Sequence, residues 1–339
     1  MRETCCSQVR FGLAITCPIL GIDVDSKYLV VHLLLLDGTN RTRQFKNGPA
    51  GFKELVEWLA QLTASDALIC MEATGRYGEK LAKHCHGLGF KVVVANPNFI
   101  SRHKESLNKH NKTDPTDALA IADYARCFEG RLRAWEPLSP VREKLRDVLG
   151  QIAKLKKART MFSNRNHCGL NDVLVMDSNN ESIAFLTAQI VKLSEYRDSL
   201  FEELPALKEA RAALMQTVGI GIEIATALVV RVQMQNFASG RELGAFLGCA
   251  SAEWSSGKQK RRGRQPKAGD SDLRSLLRLG AASAFRTSFY RDFVDRLTKR
   301  GLSKGQVIGA VARKMLLIAH AVLRSGKPFD RNYKSPLAT

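Results

Sequence analysis

Apolar and polar positions follow a different rhythm in each third of the chain. Ile19–Val24 is apolar and β-branched, Asp25-Ser26 reads as a turn, and Tyr28–Leu36 is a second apolar run. Asp37-Gly38 is a hairpin signal, and Arg41–Phe45 returns as a third strand. Leu55, Val56, Leu59 and Leu62 mark a helix, and Ala67–Met71 a short buried strand. A helix from Leu81 to Leu88 is closed by Gly89, and the strand Lys91–Ala95 is stopped by Asn96-Pro97. Helical patterns follow at 98–107 and 115–127. The order βββαβαβα predicts a mixed sheet with helices, an α/β domain over residues 17–130.

Residues 131–208 change period. Leu138, Val141, Leu145, Val148, Ile152 and Leu155 step by 3, 4, 3, 4 and 3, and Phe162 extends the seam by seven. Asp177-Ser178-Asn179-Asn180 reads as a break, after which Ile183, Leu186, Ile190, Leu193, Leu200 and Leu204 resume helical spacing. Two long helices are expected, packed on each other or against another subunit, which makes a homo-oligomer, dimer or tetramer, one outcome and a monomeric hairpin the other. Residues 209–339 read as helices with glycine-rich joints.

Charge narrows the partners. Lys and Arg number 52 against 33 acids, a formal net charge of +19, in a chain of ordinary apolar content. Such a surplus favours a polyanion, since each neutralised phosphate releases counterions. The eight cysteines form no C-x-x-C pair, which speaks against zinc and suits reduced thiols in the cytoplasm. The apolar run Phe11–Leu20 is short for a leader and leads straight into a strand, so residues 1–16 read as an extension. No stretch reads as a membrane span, and no membrane is expected as a partner.

Four acids stand where chemistry is expected. Asp23 and Glu72 end apolar strands; Asp114 and Asp117 open a helix with Pro115 in its first turn. Acids gathered at one sheet edge repel unless cations join them, and an oxygen-only donor set suits Mg2+, which can activate an attacking oxygen on phosphate. Asp25 is a rival to Asp23, and Asp114 is equally readable as a helix cap. His103 and His110 read as backbone binders or surface groups rather than ligands. Val218-Gly219-Ile220-Gly221 reads as the turn of a helix-hairpin-helix, in which Gly219 and Gly221 let backbone N–H groups approach phosphate, or as a plain inter-helix turn. Ser255-Ser256-Gly257 precedes Lys258, Lys260, Arg261, Arg262, Arg264 and Lys267. These residues read as phosphate contacts, with a serine nucleophile as the alternative.

At these motifs the chain resembles the DEDD transposases of bacterial insertion sequences, the one-ten family, which are bridge-RNA-guided recombinases. The resemblance rests on Gly21-Ile22-Asp23-Val24 with Lys27, Glu72-Ala73-Thr74-Gly75 and Lys112-Thr113-Asp114-x-x-Asp117-Ala118. It continues in Thr217-Val218-Gly219-Ile220-Gly221, Phe246-Leu247-Gly248, Ser255-Ser256-Gly257, Lys267-x-Gly269 and Leu273-Arg274. It implies a Holliday-junction-resolvase-like (RNase H-like, RuvC-like) fold for 17–130. An α-helical coiled-coil segment over 131–208 and an α-helical C-terminal transposase domain over 209–339 follow from it too. It implies that Asp23, Glu72, Asp114 and Asp117 hold Mg2+ and that Ser255 or Ser256 attacks DNA covalently, the two halves meeting across subunits. A structured guide RNA is implied to pair with donor and target double-stranded DNA. The chain departs from the family pattern at Cys249-Ala250-Ser251-Ala252 and Arg264-Gln265-Pro266-Lys267. The rival readings are a metal-dependent nuclease in which water attacks, and a non-catalytic nucleic-acid-binding protein.

Overall fold

Strong apolar runs and tight turns build the first sheet. β1 (Ile19–Val24), β2 (Tyr28–Leu34) and β3 (Asn40–Lys46) form an antiparallel meander in the computed structural model. The residues described are 16–73, 75–106, 114–169, 172–233, 237–249, 254–256, 259–261 and 269–331. Between β2 and β3 the Asp37 carboxylate accepts from the Thr39 N–H at 2.8 Å and its hydroxyl at 2.7 Å, while Gly38 takes φ +82. That turn ends β2 at Leu34 and leaves Leu36, expected inside the strand, exposed.

α1 (Pro49–Gln61), β4 (Leu68–Glu72), α2 (Glu79–Gly87), β5 (Val92–Ala95), α3 (Pro97–Ser106) and α4 (Asp114–Phe128) complete the unit. The sheet order is β3-β2-β1-β4-β5, with β1, β4 and β5 parallel. Strand alternation sends Leu20, Ile22, Val24, Ile69 and Met71 into a core with Leu55, Trp58, Leu59 and Leu81. Ile19, Leu68 and Cys70 face the other way, onto Ile121, Ala122 and Ala125 of α4. The N-terminal unit, ending at Pro137, is thus the expected mixed α/β domain.

The unit from Leu138 onward is mostly helical. α5 (Pro140–His167) and α6 (Val173–Glu202) form a hairpin burying Leu145, Val148, Ile152, Ile190, Leu200 and Phe201. The expected break at Asp177–Asn180 is corrected: those residues lie inside α6, which starts after Asp172, whose carboxylate accepts from the Val175 N–H at 3.1 Å. Asn179 donates to Asn166 at 2.8 Å and Asn166 to Asn180 at 2.9 Å, so the polar stretch is satisfied by the facing helix.

α7 (Pro205–Met215), α8 (Ile222–Gln233), α9 (Gly240–Phe246), α10 (Ser271–Ala284), α11 (Arg291–Lys299) and α12 (Lys304–Ser325) follow. A two-stranded ribbon, β6 (Trp254–Ser256) and β7 (Gln259–Arg261), interrupts what reads from sequence as helical. α12 has 22 residues and by length and composition passes as a membrane span, against the expectation that no stretch would. Its Val311, Met315, Leu316 and Ala319 are buried in one cluster with Leu273, Leu277 and Ala281 of α10, the arrangement of a core helix.

Candidate carboxylate site and serine ribbon

The last paired residues of β1 and β4 are Ile22 and Met71. The next residue on each strand is an acid, Asp23 and Glu72, and both are half-buried. Alternation puts the pair on the face of Ile19, Gly21 and Cys70, the one covered by α4. Two contacts give the direction of α4. Gly21 lies against the backbone of Ala118 and Ala122, and Glu129, just past the helix end, accepts from Thr16 and Cys17 at the start of β1. α4 therefore runs antiparallel to β1. Two strand residues beyond Gly21 advance about 7 Å, and three helix residues before Ala120 about 5 Å, so Asp117 comes level with Asp23. Asp114 is the first residue of α4, one turn earlier. Asp25, the rival acid, is exposed in the β1–β2 turn: its N–H donates to the Tyr28 carbonyl at 3.0 Å and its own carbonyl accepts from Asn47 at 2.7 Å.

Asp117 has a cation at hand. Lys104 Nζ of α3 stands 2.9 Å from its Oδ1, with the two side chains 25% and 15% exposed. Behind this pair is an acid that no sequence motif singles out. Asp123 is buried in α4; His103 Nε2 lies 2.8 Å from its Oδ2, and Arg126 donates to its Oδ1 at 2.7 and 3.1 Å. His103 is thus no surface group but an internal partner, its ring edge-on to Tyr124 and Phe128. His110 lies outside the described residues. The ligand atoms of His103, Asp123 and Cys127 fall within 4.8 Å of one another. Arg126 already occupies the carboxylate, and burial, followed by the charge of Asp123, pushes the Cys127 thiol up. The cluster therefore clamps α3 to α4 rather than offering a thiolate and a free carboxylate to a metal.

In the second unit the turn between α7 and α8 holds Gly219 at φ +92. A Cβ there would lie 2.7 Å from Ala284 Cβ and 3.1 Å from Met315 Sδ, so Gly219 is packed inward, whereas Gly221 has open space. Two residues past Gly221, Glu223 meets Lys156 Nζ at 2.5 Å and the buried Arg197 at 2.7 Å. Arg197 also pairs with Asp198 at 2.9 Å, which binds Arg211 at 2.5 Å. Burial alone would raise the Glu223 carboxyl, but hydrogen bonds from Lys156 and Arg197 outweigh it and hold the group below its ordinary value. This network ties the α5–α6 hairpin to α8.

In the ribbon, Trp254 is registered opposite Arg261, Ser255 opposite Lys260, and Ser256 opposite Gln259. Lys258, Arg262, Arg264 and Lys267 lie outside the described residues. Gly269 at φ +90 abuts the carbonyl of Phe246, and Arg274 donates to the Leu247 carbonyl at 3.1 Å. The motifs Phe246-Leu247-Gly248, Gly269 and Leu273-Arg274 therefore pack together.

A family model described as "Transposase" matches residues 20–175, and one described as "Transposase IS116/IS110/IS902 family" matches 211–294. The pilin gene-inverting protein of Moraxella bovis is 31% identical over 322 residues, covering 92% of this chain and 97% of the relative. That of Moraxella lacunata matches with the same identity, 31%, and the same coverage. An uncharacterized 43.6 kDa protein of insertion element IS110 from Streptomyces coelicolor is 27% identical over 150 residues, 43% of this chain and 37% of the relative. The four acids fall in the first matched segment, and the glycine turn and both serines in the second. The chain belongs to the IS110 family and is a transposase/recombinase, an enzyme that acts on DNA.

Proposed function

We propose that this transposase cuts and exchanges the DNA strands of an insertion sequence through a serine oxygen prepared by a magnesium-dependent carboxylate site. The observation that carries the reading is the convergence at the sheet edge: Asp23 and Glu72 end neighbouring parallel strands, and the first turn of α4 brings Asp117 level with them. The order β3-β2-β1-β4-β5 supports an RNase H-like fold for 17–130. We assign 1–16 to an extension, 131–208 to the coiled-coil segment and 209–339 to the transposase domain.

Membership of the family implies a divalent metal. Mg2+ is our assignment, because the donors at the edge are carboxylate oxygens, a hard set. Asp23, Glu72, Asp114 and Asp117 would hold it, and when bound it supplies positive charge to the attacking and leaving oxygens at phosphorus. We place the nucleophile at Ser255, whose register partner is the cation Lys260, rather than at Ser256, opposite Gln259. Ser255 Oγ bonds to the scissile phosphorus, its proton passes to water, and the phosphorus–deoxyribose oxygen bond breaks to free a DNA hydroxyl. A DNA hydroxyl then attacks the phosphoserine, takes the phosphorus and returns the serine, so no bond energy is lost to hydrolysis. Lys258, Lys260, Arg261, Arg262, Arg264 and Lys267, with Gly219 and Gly221, bind phosphate. A structured guide RNA selects sequence, and the enzyme works as a dimer or tetramer in the cytoplasm.

The test is a denaturing gel of end-labelled element DNA incubated with protein, guide RNA and Mg2+. A covalent protein–DNA band is expected, absent in Ser255→Ala and present in Ser256→Ala. Cleavage by the unmodified chain without any such band would make water the nucleophile.

A further inference from the structure

The C-terminal helices carry a second group of cations, apart from the ribbon's basic run and outside every motif above. Lys314 Nζ stands 4.6 Å from the centroid of Phe293 and 6.0 Å from that of Tyr290. The guanidinium of Arg296 lies 5.6 Å from the same Phe293 ring. Where α10 ends and α12 begins, Arg286 and Lys304 lie 5.6 and 5.8 Å from the ring of Phe285. The rings of Phe285 and Phe293 therefore carry two cations each.

None of the four cations has a carboxylate within ion-pair distance among the described residues. Asp292 and Asp295 sit on α11 beside Arg296 but pair with neither it nor Lys314. Aromatic contact fixes a cation's position for about 0.5–1 kcal/mol without neutralising it. Arg286, Arg296 and Lys304 are exposed, and Lys314 is half-buried beside a like charge. Burial, followed by the charge of Arg296, pulls the Lys314 ammonium below its ordinary value. Core packing accounts for the rings; it does not account for cations held without partners on them. Along α12, Lys304 and Lys314 are separated by about 15 Å, the axial length of about four base pairs of duplex.

We propose that Arg286, Arg296, Lys304 and Lys314 form a second DNA-binding surface that grips the phosphodiester backbone of a duplex without reading its bases. The surface is independent of which group attacks phosphorus. It gives the transposase a hold on duplex through cations other than those of the ribbon's basic run, with positions set by rings rather than by flexible stems.

The experiment is fluorescence anisotropy of the full chain on a labelled duplex of arbitrary sequence, titrated across KCl concentration. In the variant Arg286→Gln/Arg296→Gln/Lys304→Gln/Lys314→Met, the log–log salt slope is expected to shrink by about 3 to 4, roughly 0.9 for each phosphate no longer neutralised. Circular dichroism should remain that of the parent. Arg296→Lys/Lys314→Arg, which keeps the charges, should keep the slope. If the four-fold variant does not fold, the three exposed positions alone should remove about 2 to 3 from the slope. A folded variant with the parent's slope overturns the proposal, as does a loss confined to single-stranded RNA with duplex binding intact.

Discussion

Gly21 and Ala118 touch backbone to backbone: a Cβ on Gly21 would lie 2.3 Å from the Ala118 carbonyl oxygen and equally close, 2.3 Å, to the Ala122 nitrogen. Asp117 comes level with the end of β1 because no side chain of residue 21 stands between helix and strand. Gly21→Ala must push α4 away. Overpacking of this kind costs about 1–3 kcal/mol. Urea unfolding should show that loss, and calorimetry should show Mg2+ binding weakened beyond what the stability change explains.

Lys104 pairs with Asp117 and would compete with a metal for its carboxylate. Lys104→Met removes the ammonium 2.9 Å from the carboxylate and keeps the apolar stem. A part-exposed pair is worth up to about 1 kcal/mol. Calorimetric titration is therefore expected to give Mg2+ affinity raised by up to about fivefold, with little change in melting temperature. Weaker Mg2+ binding would show that Lys104 supports the site rather than blocks it.

Arg197 carries a pH signature. Burial raises the Asp198 and Glu223 carboxyls, but hydrogen bonds from Arg197, Arg211 and Lys156 bring both below their ordinary values. Depressed carboxyls stabilise the fold above the ordinary carboxylate range, and that stability is lost as pH falls through the folded-state values. Arg197→Met is expected to cost about 2 kcal/mol at neutral pH, less than a fully buried pair because Glu223 and Asp198 stay partly solvated. The gap from the parent should narrow as pH drops below about 4. Urea unfolding at several pH values measures it.

The two glycines of the α7–α8 turn should separate. Gly219→Ala meets both a positive φ and Ala284, so unfolding midpoints should fall by the equivalent of about 2 kcal/mol or more. Gly221 has open space, so Gly221→Ala should leave stability within about 0.5 kcal/mol. Any loss of DNA affinity in it, read by anisotropy, then reports a backbone contact with phosphate.

The sheet was legible because its signals are local. Apolar runs and the Asp37-Gly38 turn mark the strands, and Asp23 and Glu72 are conspicuous as acids closing them. The family resemblance already points to Asp23 over Asp25; the hydrogen bonds that hold Asp25 in the β1–β2 turn are what no spacing shows. Asn179 and Asn180 looked like a loop because polar runs usually are; within α6 both bond the facing Asn166, a partner that no local pattern shows. Asp123 is bound by Arg126 three residues on, a helical pairing open to sequence reading, but also by His103 from another helix. The Arg197–Glu223 pair joins helices distant in sequence, and β6 and β7 are too short for a period of two to declare itself.

The carboxylate site is tested most directly by Mg2+-dependent cleavage of element DNA, with guide RNA, by Asp23→Asn, Glu72→Gln, Asp117→Asn and the turn variant Asp25→Asn. Loss of a metal ligand is expected to lower the cleavage rate by roughly a thousandfold or more in each of the first three. Asp25→Asn should cleave at the parent's rate. Parental cleavage by any of the first three, or its loss in Asp25→Asn, would contradict the site.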